Sequence, residues 1–438
     1  MNLLGFCGLW AALLAATPAL ADDFDMNLVG RPEIVRPAAA PTGAVVLFSG
    51  TSGWGAAEAA LADALAARGA LVIGIETPAT LGRIAGAADD CVWVIGEIEA
   101  VSHAAQRELG AADYHFPALA GIGAGAAFAL AVAAQTEDAT IARVVAVDPA
   151  AAPTTGKPFC MPASAASGSA PFPVSIVLTP SAHRGERLRA ASLAKGRPEV
   201  TVRETAAAPS DALFAALAPP PVATRDALAD LPLEELPTAT PGDAFAILYS
   251  GDGGWRDLDK EVAAILRKDG LPVVGVDSLR YFWTRKSPET VAADLDRIVR
   301  AYRAKWGAKR VALIGYSFGA DILPIAVNRL SADVRAAVAQ VSLLAFSETA
   351  DLEVTVGSWL DRKGREAMPS LAEARRLDPR RVQCFYGADD EDAACAKLAG
   401  SGVEVVRTAG GHHFDGDYAA LARRIREGLR ARAALPPG

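Results

Sequence analysis

The sequence has 438 residues, a formal charge of −8, 21% charged residues and 51% hydrophobic residues. This hydrophobic content excludes a disordered chain, and the length predicts two or three domains. The acidic balance argues against a general nucleic-acid-binding protein, because phosphate contacts need clustered Lys and Arg.

The first 21 residues have the pattern of a secretory signal peptide. They are apolar and uncharged, and they end in Ala-Leu-Ala before the acidic pair Asp22-Asp23. The stretch lacks the usual Lys or Arg, and an uncleaved membrane anchor is the alternative. We expect cleavage after Ala21 and export of the remaining chain.

Four cysteines follow this segment, an even number that predicts disulfides in an exported protein. Cys384 and Cys395 lie in one short stretch, so we expect them to pair, which leaves Cys91 with Cys160. The alternative is four buried thiols. A metal site is not expected, because no C-x-x-C pair or His cluster accompanies the cysteines.

The chain resembles itself at two places about 200 residues apart. Residues 44–54 and 246–255 are both apolar, strand-like runs that end in S-G-x-x-G-W, and residues 119–126 resemble residues 313–320. In each half, short apolar strands alternate with helical stretches, an order that predicts mostly parallel sheets flanked by helices.

We therefore predict an α/β protein of two tandem hydrolase-like domains, the first of them degenerate. Residues 22–222 form the first domain and residues 223–438 the catalytic one, with a Pro- and Ala-rich lead-in at about 205–243.

The candidate nucleophile is Ser317, in the G-x-S-x-G motif Gly315-Tyr-Ser-Phe-Gly319. The motif follows a strand-like run and precedes a helix-like one. That is the context of a nucleophile elbow, in which the serine sits at a sharp exposed turn beside a base. The alternative is an ordinary Gly-rich turn with an incidental serine.

An elbow of this type predicts an acid and then a histidine further along the chain, each in a loop after a strand. We choose Asp390 as the acid and His412 as the base. Spacing leaves Asp389, Glu391 and Asp392 open for the first role and His413 open for the second.

The remaining site residues follow from these three. The oxyanion of an acyl-transfer reaction needs backbone donors, which we place at Phe318, next to the nucleophile, and at Asp252, in the Gly-rich loop 251–254. We expect Asp252, Trp255 and Asp321 to contact the substrate, and no cofactor or metal to be needed. The first half has Gly123 at the serine position and is predicted to lack catalysis.

Four motifs in order resemble the AcvB/VirJ family of bacterial virulence proteins, the longer AcvB type in particular. They are S-G-D-G-G-W at 250–255, D-S-L-R-Y-F-W at 277–283, G-Y-S-F-G-A-D at 315–321 and G-G-H-H-F-D-G-D-Y at 410–418.

The resemblance implies a periplasmic α/β-hydrolase that removes the amino acid from aminoacylated phosphatidylglycerol, chiefly the lysyl form. The expected partner is that lipid at the membrane surface, and type IV secretion components are a further possible partner. A non-enzymatic secretion adaptor and a generic carboxylesterase are the alternative functions. Acidic residues near the site are expected to attract a cationic headgroup, and the aromatic run 281–283 is expected either to dock at a membrane interface or to pack in the core.

Overall fold

The structure is a computed structural model that describes residues 26–136, 140–161, 170–217, 228–240, 242–354 and 367–432. The predicted signal peptide and the predicted domain boundary at 222/223 lie outside the described residues. Below, the first half means the described residues up to 217 and the second half those from 228 onward.

From its second strand on, the first half alternates strands with one or two helices, except that no helix is described between its fifth and sixth strands. Its strands are β1 (Glu33–Val35), β2 (Gly43–Phe48), β3 (Ala70–Ile75), β4 (Ala118–Ile122), β5 (Arg143–Val147), β6 (Val174–Leu178) and β7 (Val200–Glu204). Its helices are α1 (Ala56–Ala67), α2 (Thr77–Gly86), α3 (Val94–Glu108), α4 (Ala124–Ala133), α5 (Arg184–Ala194) and α6 (Pro209–Ala216).

The second half repeats this alternation. Its strands are β8 (Leu233–Leu236), β9 (Ala244–Tyr249), β10 (Val273–Val276), β11 (Arg310–Tyr316), β12 (Val338–Leu344), β13 (Val382–Gly387) and β14 (Glu404–Thr408). Its helices are α7 (Asp257–Lys268), α8 (Ser278–Tyr281), α9 (Pro288–Trp306), α10 (Phe318–Val327), α11 (Ala332–Ala337), α12 (Ser370–Ala374) and α13 (Tyr418–Arg432).

Each half builds one seven-stranded sheet, and the two sheets have the same topology. The strand orders are β1-β3-β2-β4-β5-β6-β7 and β8-β10-β9-β11-β12-β13-β14. In each sheet the first strand is antiparallel to its neighbour and the remaining pairings are parallel. The predicted fold class, two tandem α/β-hydrolase-like sheets flanked by helices, is confirmed.

The central strands are buried on both faces, which is why they are almost wholly apolar. All six residues of β9 are buried, as are all seven of β12. Each half has two apolar clusters. The helices cover the sheets with amphipathic faces, and α9 shows how sequence sets the limits of such a helix. The Ser287 side chain accepts a hydrogen bond from the Thr290 N–H at its start, and Gly307 ends it in a left-handed conformation.

The repeated S-G-x-x-G-W motif has a packing role. The indole of Trp54 lies on Gly74 of β3, where a Cβ would come within 2.3 Å of the ring. Trp255 lies on Gly275 of β10 in the same way, with a corresponding distance of 2.5 Å. Both motifs therefore anchor the loop after the second strand of their half to the neighbouring strand.

The halves meet around Trp283 of the second half. This side chain is 2% exposed, and its indole N–H donates to the Ala111 carbonyl of the first half at 2.9 Å. The Tyr114 ring lies 4.9 Å from its ring, and the Arg107 guanidinium lies 3.9 Å above it. Arg107 also donates to the Trp283 carbonyl at 2.7 Å, so the two halves are joined by apolar packing and directed hydrogen bonds.

The structure decides between the two interpretations of the aromatic run 281–283. All three side chains are at most 5% exposed. A membrane interface would need them at the surface, so the membrane-docking expectation is wrong and the run packs in the core.

Both expected cysteine pairs are joined. The Cys91–Cys160 and Cys384–Cys395 disulfides have S–S distances of 2.05 and 2.08 Å. Within the described ranges, the helices lack the length and hydropathy needed to cross a bilayer.

Candidate active site

The site begins at the turn between β11 and α10, where Ser317 has φ 51° and ψ −119°. This left-handed conformation is costly for a residue with a side chain, and it projects the serine out of the turn. The flanking glycines permit it. A Cβ on Gly315 would lie 2.4 Å from the Gly319 carbonyl oxygen, and one on Gly319 would lie 2.4 Å from that of Tyr249. The helix can therefore start directly against the sheet.

The structure brings the three residues chosen for the triad together. His412 Nε2 lies 2.8 Å from Ser317 Oγ, and His412 Nδ1 lies 3.0 Å from Asp390 Oδ2. The carboxylate fixes the tautomer, since Nδ1–H donates to it and Nε2 is left to accept the serine hydroxyl. The Asp390 side chain is 7% exposed and the His412 imidazole is 38% exposed. The imidazole is therefore partly open to solvent, while the carboxylate bonded to its Nδ1 is buried.

Backbone contacts between two loops set this geometry. A Cβ on Gly387, at the end of β13, would lie 2.2 Å from the Gly411 carbonyl oxygen. The Asp389 N–H donates to the Gly410 carbonyl at 2.9 Å. Glycines on both sides thus let the acid loop and the histidine loop lie directly against each other.

His413 has a different partner. Its Nδ1 lies 3.0 Å from the Tyr316 hydroxyl, on the residue before the nucleophile. This hydrogen bond therefore joins the histidine loop to the end of β11. Among the open alternatives for acid and base, the hydrogen bonds select Asp390 and His412.

The predicted oxyanion donors are the backbone N–H groups of Phe318 and Asp252. Phe318 is the first residue of α10, so its N–H has no acceptor within the helix. The loop 251–254 lies beside the nucleophile, since a Cβ on Gly251 would lie 3.8 Å from Ser317 Cβ. The N–H of Asp252, in this loop, stays the predicted second donor.

Asp321, four residues after the nucleophile, is only 8% exposed. Its carboxylate accepts a hydrogen bond from the Ser347 N–H at 2.6 Å. Burial raises its pKa well above the usual value, and the charges of Asp252 and Asp390 raise it further. The charges of Asp252 and Asp390 therefore lie close enough to act on Asp321, and these two carboxylates contribute a negative potential at the site.

The sequence led us to expect a substrate contact at Trp255. Its indole packs on Gly275 and belongs to an apolar cluster with Leu258 and Val262, and it is 9% exposed. The ring anchors the loop on β10, and a contact between Trp255 and the substrate stays a prediction.

Sequence reasoning missed the residues that hold the oxyanion loop. Asp259 of α7 is 1% exposed, and burial raises its pKa well above the usual value while the nearby backbone N–H groups of Gly251 and Arg256 lower it. Asp277 is also 1% exposed, and burial raises its pKa to about 6. A Cβ on Gly254 would lie 3.1 Å from an Asp277 carboxylate oxygen. The sequence signal for Asp259 was its position four residues after the G-G-W motif. An acid at that position is also typical of the first turn of a helix.

The first half keeps the elbow without the chemistry. Gly123 has φ 58° and ψ −114°, within 10° of the Ser317 angles. His183 is the N-cap residue of α5, in the loop after β6. This loop corresponds to the acid loop after β13, so His183 does not stand at the position of the triad histidine. Among the described residues, no group of three or more His, Cys, Asp or Glu is placed to hold a metal ion.

The strand order and the elbow serine place the second half in the α/β-hydrolase class. In this class a serine lies within hydrogen-bond reach of a histidine that is bonded to an acid. Residues 243–433 match the family described as Bacterial virulence protein (VirJ). This match covers the part of the chain that carries the four motifs described above, and it agrees with the family that they indicated.

Several solved structures resemble about half of the chain. They include an α/β serine hydrolase without lid from Xanthomonas campestris (16% identity, 45% of this chain, 87% of that chain, TM-score 0.31). An esterase from Pyrococcus furiosus has 14% identity over 49% of this chain and 97% of its own, with a TM-score of 0.34. The thioesterase domain from the curacin biosynthetic pathway has 15% identity over 44% and 94%, with a TM-score of 0.31. No curated protein matches the chain.

Proposed function

We propose that this protein is a periplasmic serine hydrolase that cleaves the aminoacyl ester of lysyl-phosphatidylglycerol. The observation that carries the proposal is the 2.8 Å contact between Ser317 Oγ and an imidazole whose other nitrogen is held by Asp390. An aminoacyl ester is an acyl substrate, and this arrangement is the one that activates a serine for acyl transfer.

The reaction follows from the geometry. Ser317 Oγ attacks the ester carbonyl carbon, and its proton passes to His412 Nε2 while Asp390 stabilises the imidazolium. The N–H groups of Phe318 and Asp252 receive the oxyanion. Collapse expels the lipid headgroup alcohol, which takes the proton from His412. Water then attacks the aminoacyl-serine ester by the same steps and releases the free amino acid.

Charge supports a cationic acyl group. A lysyl ester carries two ammonium groups, and the charges of Asp252 and Asp390 both act on the buried Asp321 beside the nucleophile. A cleft of one charge sign raises the local concentration of an oppositely charged ligand. A neutral acyl ester would gain nothing from this field, so the proposal separates this enzyme from a generic carboxylesterase.

The test is hydrolysis of lysyl-phosphatidylglycerol in vesicles, followed as free lysine. We expect turnover by the wild-type chain and none above background with Ser317→Ala, a loss on the order of 10⁴-fold or more for a triad nucleophile. A melting curve checks that the variant is folded. Lysine release that persists in Ser317→Ala would exclude this serine as the nucleophile.

A short neutral acyl ester is the matched substrate control. If it is turned over as efficiently as the lysyl lipid, the protein is a carboxylesterase without the proposed preference. If neither ester is turned over while a secretion phenotype survives Ser317→Ala in cells, the chain acts as an adaptor.

A further inference from the structure

An arginine of the first half holds two separate segments of the second half. Arg107, in the last turn of α3, donates to the Trp283 carbonyl at 2.7 Å and also to the Val354 carbonyl. Its guanidinium lies 3.9 Å above the Trp283 ring, and the Glu353 carboxylate lies 3.5 Å from it. The forked guanidinium can make these contacts at the same time because its N–H groups point in fixed, separate directions.

The same two segments are also bonded to each other. The Val354 N–H donates to the Phe282 carbonyl at 2.9 Å, and the Lys286 N–H donates to the Leu352 carbonyl at 2.9 Å. Phe282 is 0% exposed and Val354 is 2% exposed. Water cannot readily replace hydrogen bonds between buried backbone groups, so the path of the chain at Phe282 depends on the contacts around it.

Phe282 packs against the residue that follows the nucleophile. Its ring centroid lies 5.0 Å from that of Phe318, and the two rings meet edge to face at 69°. Phe318 is the first residue of α10, directly after Ser317, and its N–H is a predicted oxyanion donor. An edge-to-face contact favours a defined ring geometry, so the Phe282 ring helps to fix the start of α10.

We propose that Arg107 is a positioning residue for the serine hydrolase site. It holds Phe282 in place, and Phe282 in turn holds Phe318 so that its N–H points to where the oxyanion forms. The inference rests on the proposed function and deepens it, because it gives the first half a part in the reaction. Oxyanion stabilisation acts in the transition state, so a displaced donor slows the chemical step more than it weakens binding.

The experiment measures how fast Ser317 of the full chain reacts with a fluorophosphonate, a reagent that reports on the triad whatever the natural ester is. The serine oxygen forms a bond to phosphorus, fluoride leaves, and the serine proton passes to His412, while the phosphoryl oxygen takes the place of the oxyanion. The dependence on reagent concentration gives the rate constant at saturation, kinact, and the concentration for half saturation, KI.

Three variants separate positioning from stability. We expect Arg107→Gln to lower kinact by roughly tenfold to a hundredfold and to change KI by less than about twofold, since a small misplacement of a reacting group is enough for such a loss. Arg107→Lys keeps a cation above the indole and one donor, and its kinact should lie between those of Arg107→Gln and the wild type.

Val101→Ala is the matched control. Val101 lies on the same helix, is 1% exposed and belongs to an apolar cluster of the first half. Its truncation lowers stability without removing the contacts of Arg107, so kinact should equal that of the wild type. Melting curves show whether each variant is folded, and Arg107→Lys decides the matter if Arg107→Gln is not.

Three results would overturn the positioning role and leave the hydrolase proposal intact. They are a kinact unchanged in the Arg107 variants, an equal loss of kinact in Val101→Ala, and a rise in KI with kinact unchanged. A wild-type chain that the reagent does not label on Ser317 would instead overturn the hydrolase proposal, and the role of Arg107 with it.

Discussion

At the scale of single residues, adjacent side chains in the site have separate tasks. Asp390 and His412 form the hydrogen-bonded pair behind Ser317, while Asp389 is exposed and His413 is bonded to Tyr316. Neighbouring residues of the same type therefore provide matched controls for each other.

We expect Asp390→Asn to reduce kcat by roughly 10⁴-fold. An amide cannot hold the imidazole in the tautomer that accepts the serine proton. Asp389→Asn is the control, because this exposed carboxylate is not bonded to the histidine. Steady-state kinetics on the ester substrate measures both variants. Equal losses in the two variants would mean that the loop, and not the Asp390 carboxylate, supports catalysis.

His103 predicts a pH dependence of stability. Burial between the halves, together with the nearby charges of Arg107 and Arg256, lowers its pKa from 6.5 to about 4. The unfolded chain takes up a proton on this residue below pH 6.5, whereas the folded chain does so only near pH 4. The free energy of unfolding should therefore fall as the pH is lowered through that window.

The test compares the wild type with His103→Leu by urea unfolding at several pH values within this range. The variant should lose less stability on acidification. Asp277, whose pKa is raised to about 6, acts in the opposite direction, but it does so in both proteins and cancels in the difference. Parallel stability curves would exclude the contribution of His103.

Sequence order predicted the triad because an elbow serine, an acid loop and a histidine loop follow strands in a fixed succession. It did not select among Asp389, Asp390 and Asp392, since spacing does not say which carboxylate points toward the imidazole. Asp259 was missed for a related reason. Its closeness to the oxyanion loop depends on how α7 packs, while its position in the sequence looks like a normal helix start.

At the scale of elements, glycines and one disulfide determine how closely the site's loops approach. The Cys384–Cys395 bridge joins β13 to the turn that follows the acid loop, so it closes the segment that carries Asp390. The Cys91–Cys160 bridge lies in the first half. One disulfide is thus local to the site and the other is remote from it.

Removing the two disulfides should give different results. Cys384→Ala/Cys395→Ala should lower kcat, because the acid loop gains freedom, and should cost about 3 kcal/mol of stability for its loop of 11 residues. Cys91→Ala/Cys160→Ala should cost about 4 kcal/mol for its loop of 69 residues and leave kcat unchanged. Kinetics and denaturant unfolding separate the two effects. An equal kcat loss in both variants would contradict the local role.

The packing role of Trp255 also belongs to this scale. A tryptophan beside a Gly-rich loop resembles the wall of a binding site. Its actual partner, Gly275, lies 20 residues further on in the next strand. In the first half Trp54 packs on Gly74 with the same spacing of 20 residues. The repeated tryptophan and glycine can be read from the sequence, but their contact can be inferred only once the two strands are known to be neighbours.

At the scale of the whole molecule, the duplication was readable from motifs, whereas the packing of the halves was not. Trp283 belongs to an aromatic run whose sequence fits a membrane surface as well as a core. Its partners, Ala111 and Arg107, lie more than 170 residues away in the chain. Hydrophobic periodicity in the sequence indicates local helices and strands, and it does not predict contacts between residues this far apart in the chain.

We expect Trp283→Ala to destabilise the molecule by about 3–5 kcal/mol, because a buried indole and its hydrogen bond across the halves are lost. Trp93→Ala is the control, since Trp93 is 46% exposed, and it should cost less than about 1 kcal/mol. Denaturant unfolding monitored by circular dichroism measures both. We also expect one cooperative transition in the wild type to separate into two in Trp283→Ala. A single unshifted transition would show that the halves do not depend on this contact.

The paired backbone angles at Gly123 and Ser317 have an implication for how active centres are recognised. A bend with the same torsion angles occurs twice in this polypeptide, once with a hydroxyl and a proton relay and once with neither. The bend is thus maintained by the need of a helix to start against its sheet, whatever reaction takes place there. A search for enzymes by backbone torsion alone would count two centres here, and only the side chains reduce that number to one.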